Sequence, residues 1–388
     1  MPIRNRFAEM LPQLAAWRQD LHAHPELRFA CHRTAALVAE RLRAFGCDEV
    51  VEGIAETGVV GVIRGRDGAS GRVVGLRADM DALPITEATG KPYTSRTPGL
   101  MHACGHDGHT TMLLGAAQYL CETRDFAGTA VLIFQPAEEG LGGARRMLAE
   151  GLFARFPCDE VYGLHNNPSA PHGRVGVKPG PAMAGASFFD ITIEGQGSHA
   201  AMPHQGRDPI IVAAALVQEM QAIVSRNLPA TSAAVLSITQ LHAGAAYNVV
   251  PDRATLAGTI RWFEHEIRDL VHDRIQALCA GLGQAHGVTI TADLRNVFDV
   301  LVNDADLSRE YLAAAADVVG ADNAVQSTER RMGSEDFADM LHAVPGAYCT
   351  LGHHGTVPLH NPGFVLDEAC LTVGASVMAR IVERRLPL

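Results

Sequence analysis

The stretch Met101-His-Ala-Cys-Gly-His-Asp-Gly-His109 places a thiol, three imidazoles and a carboxylate directly before a helix-like run at 110–117. Cys104 and His106 are two residues apart, so in an extended backbone their side chains point the same way. A thiolate and an imidazole together suit zinc or another borderline divalent metal. Each residue alone has a structural explanation, such as Asp107 as a helix N-cap. Ionisable groups this dense rarely lack a chemical partner, so the stretch predicts one wall of a metal site.

Length and composition bound the class of protein. The chain has 388 residues, of which 47% are hydrophobic and 19% charged, a profile that favours a globular protein of two domains. The net charge of -11 argues against nucleic acid as a partner, because no basic stripe is available to offset phosphate charge.

Targeting signals and cysteine spacing indicate the compartment. The first ten residues lack the apolar core of a signal peptide, and the apolar run at 210–217 is too short to span a bilayer. The eight cysteines are scattered without the spacing of a disulfide framework and read as reduced thiols. We therefore expect a cytoplasmic protein with no membrane partner.

Hydrophobic periodicity divides the chain into three segments. Residues 1–180 alternate helix and strand patterns, which implies an α/β domain with a mostly parallel sheet flanked by helices. Residues 181–294 read as strand, helix, two strands, helix and strand, the ferredoxin-like order of a small α+β domain. Residues 295–388 return to the first texture. The sequence thus predicts one large domain, built from both outer segments, into which the middle segment is inserted.

Polar side chains follow several of the predicted buried strands. The carboxyl ends of parallel strands open onto one crevice, so side chains at these positions converge. Strand-end carboxylates often cap the next helix, but capping does not explain them all together with Cys104 and His106. The polar residues at predicted strand ends, with one histidine in a turn near the C-terminus, are Asp79, Asp81, Glu138, Glu139, His165 and His360.

These segments resemble the di-metal aminoacylase and carboxypeptidase family of metallopeptidases, in its hippurate hydrolase and indole-acetyl-amino-acid hydrolase branch. The matching motifs run in order from residue 76 to residue 363, and the runs at 104–109 and 135–139 are specific. The resemblance implies a zinc-exopeptidase-like catalytic domain in the outer segments, 1–180 and 295–388. It also implies a lid and dimerisation domain at 181–294, and a homodimer or a higher homo-oligomer.

The resemblance further implies two divalent metal ions per subunit and a general acid/base, Glu138. A metal lowers the pKa of its bound water from about 15.7 toward about 7, so Glu138 can take that proton near neutrality. The implied metal ligands are Cys104, His106, Glu139, His165 and His360.

The chain departs from other branches of the family at two places. Those branches carry His-x-Asp where this chain has Asp79-Met-Asp81, so Asp79 is not expected to be a ligand. Asp81 is expected to support catalysis by orienting a ligand from behind. Cys104 stands where the other branches have an aspartate ligand. The sulfur favours zinc and the branch is associated with manganese, with nickel or cobalt as alternatives; which ligand bridges the metals stays open.

Three residues of the inserted segment take roles from the same resemblance. His199 reaches the active site of a partner subunit and donates to the oxyanion of the tetrahedral intermediate, a contribution of roughly 3–4 kcal/mol. Asn248 and Arg261 hold the substrate carboxylate, since arginine grips a carboxylate in bidentate fashion. The structural alternatives are a surface imidazole for His199, and for Arg261 an ion pair with Glu264 or Asp252.

The expected activity is hydrolysis of the amide bond of a small N-acyl or N-aroyl amino acid, hippurate-like or N-acetylated. Metal-bound hydroxide attacks the acyl carbonyl, and Glu138 passes the proton to the leaving nitrogen. A dipeptidase or carboxypeptidase on the same scaffold is the alternative. A metal-stabilised binding protein has no use for a second glutamate beside a ligand. A cysteine hydrolase with Cys104 as nucleophile leaves the glutamates and the distant histidines unexplained.

Overall fold

The computed structural model describes residues 3–66 and 71–388, which pack into two units. The first unit contains the chain through Ala182 together with Leu301–Glu329 and Asp336–Leu388. The second contains Met183–Val300 and the short segment Arg330–Glu335. The sequence-based division places its boundaries after residues 180 and 294, and it has no counterpart for this short return of the chain.

The described residues form ten α-helices and sixteen β-strands. The order begins with α1 (Ile3–Ala23), α2 (His32–Phe45), β1 (Glu49–Ile54), β2 (Gly58–Arg64), β3 (Val73–Asp79), α3 (His106–Thr123), β4 (Thr129–Gln135), α4 (Gly143–Ala149), α5 (Leu152–Arg155), β5 (Glu160–Asn167), β6 (Val175–Val177) and β7 (Gly180–Met183). It continues with β8 (Gly185–Glu194), β9 (Ser198–His199), α6 (Pro209–Ala222), β10 (Ala234–Ala243), β11 (Val249–Val250), β12 (Arg253–Trp262), α7 (His265–His286) and β13 (Thr289–Phe298). It ends with β14 (Leu301–Asn303), α8 (Ala305–Val319), β15 (Ala324–Gln326), α9 (Phe337–Ala343), β16 (Gly346–Gly352) and α10 (Ala369–Arg385).

The first unit is built on a sheet of eight described strands in the order β1-β2-β4-β3-β5-β16-β6-β15. Strand β3 pairs in parallel with β4 and β5, and β5 pairs in parallel with β16. The central strands are almost continuously apolar and buried, as expected of strands covered on both faces. Antiparallel strands β1 and β2 extend one side of this parallel centre. The predicted α/β class with a mostly parallel central sheet is confirmed.

Helices α1, α3 and α10 pack against one another in the first unit. Helix α1 buries Phe7, Met10, Leu14 and Leu21, which recur at helical spacing and form one apolar stripe. Burial of each such side chain contributes roughly 1.5–3 kcal/mol, so the stripe holds α1 firmly in place. Helix α3 is buried along most of its length and is held by its packing against α1 and α10. Its first residue, His106, comes directly after the loop that carries Cys104.

The second unit has the predicted ferredoxin-like order of strands and helices. Its four-stranded sheet runs β10-β12-β8-β13 with antiparallel neighbours, and α6 and α7 pack on it. Helix α7 buries Ile267, Val271, Ile275 and Cys279 at helical spacing, the amphipathic stripe expected of a helix that covers a sheet.

Helix α6 and the turn after it are unusually apolar. By length and composition alone the stretch Pro209–Asn227 would suffice to cross a membrane, and 33% of it is buried. Its buried side chains, which include Val212, Leu216 and Met220, belong to the core of the second unit. Ile211 at its start is 59% exposed, so this helix offers an apolar surface as well as a core face.

Candidate metal centre

The parallel strands bring the predicted polar residues to one edge of the first unit. Asp79 is the last residue of β3, and Glu138 and Glu139 follow the end of β4. His165 lies near the end of β5. In the sheet, β5 lies between β3 and β16, and β3 lies next to β4, the strand that the two glutamates follow. Since these strands are parallel, their carboxyl ends meet, as the sequence predicts. His360 comes to the same place from the loop after β16, where its nitrogen Nε2 lies 3.4 Å from Cys104 Sγ.

Gly105 allows the loop before α3 to approach β5 closely. Its φ of +97° lies in the left-handed region, and a Cβ there would sit 2.4 Å from the side-chain oxygen of Asn166. Only glycine meets both conditions without strain. The Cys104–His106 backbone is therefore held directly against the residue that follows His165.

Five side chains then offer donor atoms to a shared space. Cys104 Sγ lies 3.3 Å from His165 Nε2, and Glu139 Oε1 lies 3.4 Å from His360 Nε2. The donor atoms form two triads, Cys104–His106–His165 and Cys104–Glu139–His360, each with all atoms within 4.8 Å of one another. Cys104 is the member common to both triads.

Two observations test whether this donor set fits a divalent metal. His106 Nε2 is buried and has no hydrogen-bond partner among the described residues, and the buried Glu139 Oε1 faces His360 Nε2 in the ion-pair contact at 3.4 Å. His106 donates from Nδ1 to the carbonyl of Asp81 at 2.8 Å, and His165 donates from Nδ1 to the carbonyl of Asn166 at 2.7 Å. A carbonyl only accepts, so each ring in its neutral form carries its proton on Nδ1 and turns the lone pair of Nε2 inward. Backbone carbonyls orient metal-binding histidines in this way, and the residues fit the group.

The electrostatics of the cluster favour a cation. Burial alone would lower the pKa of His106, but Asp79 and Cys104 hold that pKa well above its usual value. The contact with Cys104, followed by that with Glu139, raises the pKa of His360 to about 10. Burial holds the pKa of His165 well below its usual value, so this ring stays neutral. A field that draws protons to His106 and His360 also draws a divalent cation.

Asp81 holds both glutamates by their backbone. Its two carboxylate oxygens accept from the amides of Glu138 at 3.0 Å and Glu139 at 3.2 Å, and Oδ1 also lies 3.6 Å from His106 Nδ1. Through these contacts the buried carboxylate of Asp81 positions both Glu139, which offers a metal ligand atom, and its neighbour Glu138. Asp81 is placed to position these residues rather than to meet a reacting atom.

Asp79 is occupied by other partners. Arg77, fully buried, donates to it at 2.8 Å, and His109 Nδ1 lies 2.7 Å from its second oxygen. Burial would raise the pKa of Asp79, but the surrounding cationic groups, led by His106, hold it well below its usual range.

His109 and Asn166 are site residues that sequence reasoning left without a role. The backbone amide of Asn166 donates to His109 Nε2 at 3.0 Å, and the ring of His109 lies edge-on to that of His165 with centroids 4.6 Å apart. His109 thus packs between two donor histidines, because it follows His106 by three residues on the same helix face. That spacing is the signal by which the sequence could have revealed it.

Asp107 does not cap α3, and that prediction was wrong. The N-cap position is Gly105, and Asp107 inside the first turn accepts from the amide of Gly108 through Oδ1 at 3.0 Å. Asp107 is instead buried against Arg18 at 2.8 Å and His22 Nδ1 at 2.9 Å, both on α1. Burial would raise the pKa of Asp107, but the charge of Arg18 and the bond from His22 hold it far below its usual range. The carboxylate of Asp107 therefore links α3 to α1, whereas the local sequence suggested a cap at the start of α3.

The second unit contains the three remaining predicted residues. His199 is exposed on β9, and its Nδ1 accepts from the amide of Ala201 at 3.1 Å. Asn248 is exposed just before β11 and accepts from the amide of Ala200 through its backbone carbonyl. Arg261 on β12 donates to Ser334 Oγ at 2.5 Å, and burial lowers its pKa. All three belong to the second unit, whereas the donor cluster belongs to the first.

Arg261 does not form the ion pair with Glu264 or Asp252 that was its structural alternative. Neither predicted carboxylate pairs with it, because Glu264 pairs with Arg330 at 3.2 Å and Asp252 accepts from the amide of Gly197 at 2.6 Å. Among the residues that the structure describes, Arg261 forms no ion pair.

Comparison with known proteins gives one family. The model of peptidase family M20/M25/M40 matches residues 75–384. Hippurate hydrolase of Campylobacter jejuni is 40% identical over 369 residues, which is 95% of each chain. N-acetylcysteine deacetylase of Bacillus subtilis is 37% identical over 374 residues, 95% of this chain and 96% of that protein. The crystal structure of the Bacillus subtilis YXEP protein, described as a dinuclear metal-binding peptidase, superposes with a TM-score of 0.81 at 34% identity and covers 97% of this chain and 98% of that one.

The buried ion pair of Arg18 and Asp107 gives a stability prediction. Arg18→Ala leaves the Asp107 carboxylate buried without its main counter-charge, so we expect a loss of about 3–5 kcal/mol in the free energy of unfolding. Urea unfolding followed by circular dichroism measures it.

The matched control is Arg309→Ala, which removes an exposed pair with Asp306 on α8. Exposed pairs contribute little, so this change should stay within about 0.5 kcal/mol. Equal stabilities of the two variants would contradict the role given to Arg18.

Proposed function

The chain belongs to peptidase family M20/M25/M40 and is a metal-dependent amidohydrolase of its hippurate hydrolase branch, and we propose that it hydrolyses small N-acyl or N-aroyl amino acids. The products are a free amino acid and the carboxylate of the acyl group. The observation that carries the proposal is the pair of donor triads that share Cys104, with Glu138 beside them.

Two divalent cations fit the donors in this proposal. Cys104, His106 and His165 would hold one, and Cys104, Glu139 and His360 the other. When bound, such a pair polarises an acyl carbonyl and lowers the pKa of water. The thiolate favours zinc, manganese is the other leading candidate, and nickel and cobalt are alternatives that metal analysis of the purified protein would decide.

Glu138 is the proposed general acid/base. The residue is 7% exposed, and its Oε2 lies 4.0 Å from His106 Nε2, next to the donors. Asp81 accepts from its backbone amide and so holds this part of the chain beside the donors. Glu138 takes the proton of the attacking water and delivers it to the leaving amide nitrogen, which must be protonated before the C–N bond breaks.

The second unit supplies the proposed recognition groups. The Nδ1 atom of His199 is an acceptor, so a neutral ring carries its proton on Nε2, free to donate to an oxyanion. We propose that it does so in the active site of a partner subunit. Arg261 has no ion pair among the described residues, and a half-buried guanidinium of this kind suits a substrate carboxylate, with Asn248 as a second contact.

We also propose a homodimer formed through the second unit. Its exposed apolar residues lie on α6, at the end of edge strand β10, in the loop and short strand β11 after it, and in the turn after β9, and Ile210 approaches Gly244. A strand edge beside an apolar helix is the kind of surface that a second copy of the same chain covers. The exposed residues are Met202, Ile210, Ile211, Leu241, Tyr247 and Val249.

A cytoplasmic location is the remaining proposal. All eight cysteines are free in the structure, and scattered free thiols are typical of reducing compartments. Fractionation of the source cells with an antibody against the protein would test it, and recovery outside the cytoplasm would contradict it.

Substitution of the two glutamates separates their roles. Glu138→Gln should keep the metal content and the melting temperature but lower kcat by about 10²–10⁴-fold, since amide cannot carry the proton. Glu139→Gln should lose metal as well as activity. Steady-state kinetics and metal analysis of both variants measure this, and a metal-loaded Glu138→Gln protein with near-normal kcat would sink the assignment.

A substrate panel tests the proposed reaction. We expect kcat/KM for N-acetyl, N-benzoyl and aryl-acetyl amino acids to exceed that for dipeptides of the same C-terminal residue by at least tenfold. Esters of the same N-acyl amino acids are the control for carboxylate recognition and should react poorly. Higher kcat/KM for dipeptides would favour the dipeptidase or carboxypeptidase alternative.

The dimer prediction concerns Ile211 on α6. Ile211→Glu places a charge on the proposed interface and should convert the dimer to a monomer in sedimentation velocity. Val302→Glu, an exposed apolar site of the first unit at 39% exposure, is the control and should leave the dimer intact. A dimer that survives Ile211→Glu unchanged speaks against this face.

A further inference from the structure

Two thiols outside the metal centre lie in contact. Cys47 Sγ and Cys121 Sγ are 3.7 Å apart, although the residues are separated by 74 positions in sequence. Cys47 follows the end of α2, and Cys121 lies in the last turn of α3. Both are free thiols, and both are only partly buried.

A single arginine holds the two backbone segments together. Arg124, three residues after Cys121, donates to the carbonyl of Gly46 at 2.7 Å and to the carboxylate of Asp48 at 2.8 Å. These are the residues immediately before and after Cys47. Because the clamp grips both sides of Cys47 from the end of α3, the approach of the sulfurs is built into the fold.

The other thiols of the chain are less suited to reaction. Burial raises the pKa of Cys158 to about 12 and that of Cys279 to about 11. The pKa of Cys121 is lowered, first by the hydrogen bond from Cys47 and then by the charge of Arg124, against the effect of burial. The thiolate is the reactive form of cysteine, so we expect Cys121 to react with a peroxide before Cys158 and Cys279.

We propose that Cys47 and Cys121 form an intramolecular disulfide when the protein meets a hydroperoxide. The Cys121 thiolate attacks the peroxide oxygen, which gives a sulfenic acid and releases water or alcohol as the O–O bond breaks. Cys47 Sγ then attacks Cys121 Sγ, and the thiol proton of Cys47 passes to the sulfenic oxygen, which leaves as water. Two thiols lose two electrons and two protons, and the peroxide accepts both. Each sulfur needs to move by only roughly 1 Å to reach bonding distance.

The bond would tie the end of α2 to the end of α3. It closes a loop of 74 positions, and cross-links of long loops remove much chain entropy from the unfolded state. The oxidised protein should therefore melt a few degrees above the reduced protein. The site is independent of the proposed hydrolysis.

The test is peroxide treatment of the metal-loaded protein, followed by peptide mapping without reductant. We expect a reducible peptide that joins Cys47 to Cys121, and a higher melting temperature that reductant reverses. Cys47→Ser should lose both, and a sulfenic acid at Cys121 should then be trapped by dimedone. Cys158→Ser, which removes another partly buried thiol, should keep the cross-link.

Arg124→Gln tests the clamp, and it should slow cross-linking several-fold in a protein that still folds. Peroxide-treated wild-type protein in which Cys47 and Cys121 stay free, or oxidise separately without joining, overturns the proposal. Equal melting temperatures of the oxidised and reduced forms overturn the stabilising effect. Cross-linking that depends on Cys158 instead would reassign the site.

Discussion

The close approach of the loop before α3 to strand β5 is the contact on which the candidate metal centre depends. Gly105 permits that approach, since a Cβ there would overlap the side chain of Asn166. The approach sets Cys104 beside His165 and starts α3 at His106. The donor distances of Cys104 follow from where this loop meets the sheet, and the packing of α1 and α10 on α3 holds it there.

Buried arginines balance the negative charge that surrounds this contact. Arg77 forms ion pairs with Asp79 and Asp336, and Arg18 forms an ion pair with Asp107. Uncompensated carboxylates would be costly to bury, so these pairs are a condition for gathering so many acidic groups in one place. The two neighbouring glutamates, Glu138 and Glu139, are held differently, because their backbone amides donate to the carboxylate of Asp81.

Much of this arrangement could be predicted from the sequence, because its signals are local. Apolar periodicity gave α7 its observed bounds at 265–286, and polar residues after buried strands marked Asp79, Glu138 and His165. Long-range partners left no such signal. Asp107 looked like a cap because the sequence does not show Arg18 folding back from α1 to meet it. The return of Arg330–Glu335 to the second unit, and short strands such as β6 and β15, depend on pairing between distant segments, which periodicity cannot report.

The geometry around Asp79 bears on why this chain carries a cysteine among its donors. Asp79 Oδ2 lies 3.7 Å from His106 Nε2, near enough to compete for the same cation. Arg77 and His109 hold both of its oxygens, so the carboxylate is already neutralised by partners that it would have to leave. We propose that Asp79 therefore positions its neighbours and does not bind a metal. Cys104 is then the third donor of the triad that contains His106 and His165. Cys104 Sγ lies 3.3 Å from His165 Nε2 and 3.4 Å from His360 Nε2, so a thiolate there would be a donor of both triads if metals were bound.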